Sequence, residues 1–75
     1  MTAEATIYVG TPEALQAEIG LLDCYKGKYI IAAFNADGRE ITPESATSKK
    51  EAAAFAKEIG DWLRSEGQTV RLSWI

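Results

Sequence analysis

The sequence predicts a single small α+β domain, with about four strands in a mostly antiparallel sheet and two helices packed on one face. Three observations predict this fold class. The chain has 75 residues, which is enough for one modest hydrophobic core. Short apolar segments with strand-like character fall at residues 5–9, 29–34 and 70–74, and two capped segments with helical spacing lie between them. The resulting order is β-α-β-β-α-β over residues 1–75, without a linker or an internal repeat.

The first strand and the first helix are separated by a clear boundary. Ala5 to Val9 is short, β-branched and aromatic, which is typical of a strand. Thr11 supplies a capping hydroxyl, and Pro12 occupies the first helical position, where its missing N–H costs nothing. Because Gly20 interrupts the apolar stripe that follows, we expect a helix of about two turns that ends near Ile19.

The middle of the chain predicts a hairpin. Tyr29 to Phe34 is the most strand-like segment of the sequence, and all of its residues are apolar or aromatic. Asn35 to Gly38 contains the residue types that tolerate the positive φ of tight reversals. The return strand is predicted at Arg39 to Thr42, which is much more polar than its neighbour.

The second helix carries the strongest local signals. Ser48 can cap it while Glu51, three residues later, reaches back to the N–H of the cap residue. Gly67 supplies the stop signal. The apolar stripe of this helix comprises Ala52, Phe55, Ala56, Ile59, Trp62 and Leu63.

The last strand alternates three apolar residues with three polar ones, which predicts one buried and one solvated face. The apolar set is Val70, Leu72 and Trp74, and the polar set is Thr69, Arg71 and Ser73. We therefore interpret Trp74, like Trp62 on the helix stripe, as a core residue.

Two sheet arrangements are compatible with this order of elements. A ferredoxin-like split arrangement would place the third strand at the centre of the sheet. Arg39 to Thr42, however, is the most polar strand candidate. The alternative makes this segment a short edge hairpin and leaves the first strand or first helix less regular.

The composition points away from catalysis. The chain has no histidine, which excludes Ser–His and Cys–His nucleophile pairs, and its one cysteine, Cys24, is expected to be inert. Asp37, Glu40 and Glu44 do not match the spacing of a calcium loop, and the six glycines are scattered singly. We expect no enzyme activity, no cofactor and no metal.

Cysteine usage and the residues at the start of the chain predict a cytoplasmic protein. A single cysteine cannot form an intrachain disulfide, and the first residues lack the features of a signal peptide. The longest apolar run is too short for a membrane span. The net charge is −3, and it arises from residues 1–24, which contain four acids and no base.

The favoured functional hypothesis is a protein-binding module. Two helices on one side of a sheet cover one face, yet the strand at Tyr29 to Phe34 is apolar on both faces. A partner protein or a second copy of the chain would cover the other face, unless loops around Leu21 and Leu22 do so. The predicted contact residues are Tyr25, Lys26, Lys28, Tyr29, Ile31 and Phe34.

Nucleic-acid binding is the alternative hypothesis. Lys49 and Lys50 follow Ser48 at a helix start, where side chains and free N–H groups can meet phosphates. The segment from Thr47 to Ala52 resembles the start of the second helix in double-stranded-RNA-binding domains, whose paired lysines meet phosphates. The Tyr25 to Tyr29 segment adds alternating aromatic and basic residues suited to stacking.

Small, acidic, compact chains of this kind also resemble accessory proteins of phages and mobile elements, including inhibitors such as anti-CRISPR proteins. The resemblance is one of class and extends to no particular motif. It implies an inhibitor that acts sterically, by covering a surface of its target.

Overall fold

A computed structural model of the chain describes residues 4–20 and 27–75. The elements are β1 (Glu4–Gly10), α1 (Pro12–Ile19), β2 (Tyr29–Phe34), β3 (Glu40–Ala46), α2 (Lys49–Ser65) and β4 (Thr69–Trp74). The predicted α+β class and the β-α-β-β-α-β order are confirmed.

The four strands form one sheet in the order β3-β2-β1-β4. β1 pairs antiparallel with β2, and β2 pairs antiparallel with β3, while β4 lies parallel to β1. The polar third strand is therefore an edge strand, as the alternative arrangement expected, and not the central strand of the ferredoxin-like split arrangement. β1 and α1 are nevertheless regular elements, contrary to the second part of that alternative.

The return strand is longer than predicted, since β3 runs from Glu40 to Ala46 and continues past Thr42. Its pairing with β2 shifts between Ile31 and Ala33, where two residues of β3 lie opposite one of β2. The extra residue makes a β-bulge, which includes Pro43. Proline is tolerated there because β3 is an edge strand and the bulge already interrupts the ladder.

The helices lie on opposite faces of the sheet, so the prediction that both pack on one face was wrong. Leu15 of α1 is fully buried and packs with Ile30 and Ala32. α2 packs on the other face, where Ile31 and Ala33 point. Successive residues of a strand face opposite sides, so β2 is apolar at every position because it is covered by a helix on each face.

The ends of α1 match the sequence signals. The Thr11 side chain accepts a hydrogen bond from the Ala14 N–H at 3.2 Å, and Pro12 opens the helix. Gly20 ends it with φ of 70°, a left-handed conformation that glycine adopts without strain. The expected two-turn helix ending at Ile19 is confirmed.

The start of α2 differs in one detail from the predicted capping box. The Ser48 hydroxyl accepts from the Glu51 N–H at 3.1 Å, as expected. The Glu51 carboxylate, however, accepts from the N–H of Thr47 at 3.3 Å, one residue before the cap. At the other end, Gly67 N–H donates to Arg64 and Gln68 N–H donates to Leu63, which forms a Schellman motif.

Candidate protein-interaction surface

The contact residues predicted on β2 do not form one surface. Ile31 is fully buried under α2, so it cannot anchor a partner. Tyr29 is half-buried on that same face, whereas Phe34 is on the opposite face, where its ring meets Tyr8 edge-on at 6.0 Å. Lys28 is exposed. The prediction assumed that one face of β2 is uncovered, and it fails because α1 covers that face. Two further predicted contacts, Tyr25 and Lys26, lie outside the described residues.

Three residues of the nucleic-acid hypothesis, Ser48, Lys49 and Lys50, lie together at the start of α2, whereas Tyr29 of its second segment lies on β2. The Ser48 hydroxyl caps the helix, while Lys49 and Lys50 are exposed. The Lys49 ammonium lies 5.6 Å from the centre of the Trp74 ring, within the range of a cation–π contact. Lys49 is thus linked to the last strand, a contact that the sequence did not predict.

The exposed apolar side chains lie mostly along β4. Leu72 is 49% exposed and Trp74 is 41% exposed, although their neighbours in β1, Ile7 and Val9, are fully buried. We call the outer backbone of β4 together with Leu72 and Trp74 the β4 edge surface. Trp74 was predicted to be a core residue, and that prediction was wrong because a strand at the sheet edge has a neighbour on only one side.

Trp62, also predicted to be a core residue, is 52% exposed and lies elsewhere. Gly60 faces β1 and β4, since a Cβ built on it would lie 3.7 Å from Ile7 and from Val70. Trp62 follows two residues later, about 200° around the helix axis. It is therefore separate from the β4 edge surface and provides a matched control for it.

The residue of α2 that faces Val70 of β4 is small. The flank of the helix that faces β4 begins at Lys49, beside Trp74, and continues through Ala53 and Gly60. Its other flank carries Phe55 and Ile59, which are half-buried against the core. Val70 therefore meets a residue of α2 that has no side chain, whereas Phe55 and Ile59 pack against the core with large ones.

Charged side chains continue along the same flank of α2. Lys57 and Arg64 both contact Asp61, at 3.0 and 3.2 Å, in exposed ion pairs. The hydrogen bond from Lys57 and the charges of Lys57 and Arg64 lower the pKa of Asp61. Measured from Lys49, residues 57 and 64 are rotated by about 80° and 60° around the axis, so three cations share this side of the helix.

The end of β4 depends on a glycine. Gly10 of β1 is buried, and a Cβ built there would lie 2.9 Å from the carbonyl oxygen of Ile75. The N–H of Ile75 donates to the Val9 carbonyl at 2.8 Å, which extends the ladder by one residue. The close approach of β4 to β1 at this point therefore requires the absence of a side chain.

Sequence reasoning missed Leu72 and Trp74 because alternation identifies the apolar face of a strand and not its place in the sheet. One signal was available. The flank of α2 that carries Ala53 and Gly60 lacks large apolar residues, which indicates incomplete cover for whichever strand lies beneath it.

Within residues 4–20 and 27–75, no helix has both the length and the apolar composition needed to cross a bilayer. In the same ranges, no three His, Cys, Asp or Glu side chains are grouped so as to hold a metal ion. Comparisons of the chain with protein-family models, curated proteins and solved structures found no match. Its function is therefore inferred from the geometry of the molecule.

Proposed function

We propose that this protein is a non-enzymatic module that binds a partner protein through the β4 edge surface and acts sterically. The observation that supports it is the exposure of Leu72 and Trp74 side by side on one face, next to a fully buried core. Exposed apolar side chains that adjoin one another can mark interaction sites, whereas singly scattered ones are normal. Tryptophan is also the residue most enriched among binding hot spots.

The steric mode fits the size of the domain. A partner segment bound along β4 would be covered by this chain and could not bind its other ligands. No chemical step is required. This is the action implied by the resemblance to inhibitors from phages and mobile elements, and we propose that it takes place in the cytoplasm. The proposed surface lies on the edge strand β4, whereas the sequence predicted it on β2, which is an interior strand.

Selection from a library of random linear peptides tests the proposal. The wild-type protein is used as bait, and each recovered peptide is then measured against Leu72→Ser/Trp74→Ser and against Trp62→Ser. We expect binding to fall at least about tenfold for the double variant, because hot-spot truncation costs about 2 kcal/mol or more. Trp62→Ser should bind as the wild type does.

Circular dichroism and thermal unfolding establish that both variants are folded, which the partial exposure of all three side chains favours. Peptides that bind the folded double variant as tightly as the wild type would overturn the proposal. A selection that enriches no peptide would do the same.

The contact of Lys49 with Trp74 supports nucleic-acid binding as a second candidate, since it joins a cation to an exposed aromatic ring. Under this proposal, single-stranded DNA or double-stranded RNA is retained at low salt and released as salt rises. Lys49→Glu/Lys50→Glu should abolish retention. Wild-type protein that shows no salt-sensitive retention would exclude this function.

A further inference from the structure

We infer that the partner contributes an extended, acidic segment that pairs with β4 as a fifth strand of the sheet. This inference rests on the proposed function and specifies the chemistry of its ligand. It follows from the direction of the β4 backbone, from the absence of proline and of a bulge on this edge, and from the charges that flank it.

The backbone of β4 presents hydrogen-bonding groups away from the sheet. The Ile75 N–H points toward β1, since it donates to Val9 at 2.8 Å. Backbone groups alternate in direction along a strand, so those of Val70, Leu72 and Trp74 point outward. No strand of the described residues lies beyond β4. A partner in extended conformation would satisfy these groups, whereas a helix or a flat side-chain surface would not.

β4 lacks two of the features that usually protect a sheet edge, proline and a bulge. Proteins block exposed edges with proline, bulges or charged side chains that face the incoming strand. The β4 sequence, TVRLSW, contains no proline and no acid, and its pairing with β1 is continuous from residue 69 to residue 74. Arg71 is its one charged residue.

The charges around this edge favour an acidic ligand. Arg71 is exposed on the face opposite α2. On the α2 side, Lys49 lies beside Trp74, and Arg64 lies near the Gly60 position that faces Val70. With Lys57, there are four cations here, against Asp61, which joins two of them, and Glu4, which lies on β1 beside Thr69. This edge is therefore cationic, although the whole chain has a net charge of −3.

The same charges disfavour a second copy of the chain as the occupant. Two β4 strands paired antiparallel about a two-fold axis would bring the Trp74 end of one copy to the Val70 end of the other. Lys49 of each copy would then approach Arg64 of its partner, and like charges in contact oppose association. An acidic segment makes the opposite contacts, so it is the occupant that we propose.

The inferred ligand alternates apolar and acidic side chains. Its apolar residues would lie beside Leu72 and Trp74 on the α2 face, and its acids beside Arg71 on the other face. Further acids at its two ends would meet Lys49 and Arg64. This pattern follows from the side-chain alternation of a strand added to the sheet.

Four measurements on the peptides that depend on Trp74 test the inference. We expect these peptides to be enriched in Asp and Glu. We also expect N-methylation of alternate peptide bonds to weaken binding about tenfold or more in one register, because main-chain hydrogen bonds are lost. In hydrogen exchange, the amides of Val70, Leu72 and Trp74 should gain protection on binding. Arg71→Glu should weaken binding about tenfold, whereas Lys28→Glu, distant from β4, should leave it unchanged.

Different results separate this inference from the proposed function. Trp74-dependent peptides that are basic or helical, or that tolerate N-methylation in both registers, would overturn the strand inference and leave the binding function standing. A wild-type protein that forms dimers in light scattering, with the same three amides protected, would identify a second copy as the occupant. Oligothymidylate that competes with the peptides and binds more tightly would favour nucleic acid. Both outcomes would overturn the acidic segment.

Discussion

The two edges of the sheet have opposite characters. β3 carries Glu40 and Glu44, and a bulge at Pro43 interrupts its pairing. β4 carries Arg71 and has an uninterrupted ladder, with Leu72 half-exposed beside it. An edge with proline, a bulge and acids resists the addition of a strand, whereas an edge with none of these accepts one. Of the two edge strands of the described residues, β4 is therefore the one suited to the addition of a strand.

The packing of α2 on the sheet also differs between its two flanks. Phe55 and Ile59 of α2 are half-buried against the core, whereas the α2 residue that faces Ile7 and Val70 is Gly60.

The strongest test places proline at two adjacent positions of β4. Ser73 directs its N–H toward β1, so Ser73→Pro should remove a ladder bond and destabilise the protein by about 3 kcal/mol or more. Leu72 directs its N–H outward, so Leu72→Pro should cost clearly less and should close the edge, as Pro43 helps to do on β3. Chemical denaturation gives both stabilities. Equal losses for the two variants would show that the backbone directions are wrong.

A methyl group added at Gly10 should disturb the end of β4. The new Cβ would lie 2.9 Å from the backbone oxygen of Ile75, so Gly10→Ala should destabilise the protein by about 1 to 3 kcal/mol through overpacking. Peptide binding at Trp74 should weaken with it, because the end of the strand must shift. As a control, Ala17→Gly removes a methyl group on the exposed surface of α1 and should leave binding unchanged. A Gly10→Ala protein of unaltered stability would contradict the close approach.

Gly60→Ala should stabilise the protein by about 1 kcal/mol, since alanine is the better helix former. The added Cβ would make ordinary 3.7 Å contacts with Ile7 and Val70, and its one tight neighbour is the flexible end of Arg64 at 3.3 Å. Thermal unfolding measures the change. A decrease in stability would mean that α2 lies closer to β4 than described and that no space remains between them for a methyl group.

The smallest effect concerns Asp61, which is fully exposed. Its pKa is lowered in the folded protein, mainly by the hydrogen bond and charge of Lys57, so its contribution to stability is present above the ordinary pKa of about 4. That contribution is lost as pH falls through the lowered pKa. Asp61→Asn should flatten the acid limb of a stability–pH curve slightly. It should also strengthen binding of acidic peptides, because Lys57 and Arg64 lose their shared partner.

An unchanged pH profile in Asp61→Asn would show that these ion pairs contribute nothing measurable, as many exposed pairs do. Weaker binding of acidic peptides by the variant would contradict the role given to the cations beside β4. Glu58→Gln on the remote side of α2 is the matched control for the loss of one negative charge.

The elements that depend on local signals were predictable from the sequence. Ser48, Pro12 and Gly20 cap or end helices through contacts within a few residues, and the structure places them as expected. The turn at Asn35 is equally local, since its side chain accepts the N–H groups of Asp37 and Arg39 at 3.0 and 2.9 Å. Such interactions need no knowledge of the rest of the chain.

The sequence by itself determined the fold class, the order of elements and the faces of each strand, because propensity, capping and alternation act over short distances. Only the tertiary structure decided that α1 and α2 lie on opposite faces and that β3 and β4 form the edges. Those choices depend on pairing between distant segments. They bury Ile31, which the sequence offered as an anchor, and expose Trp74, which it assigned to the core, because a strand's place in the sheet sets how many neighbours cover it.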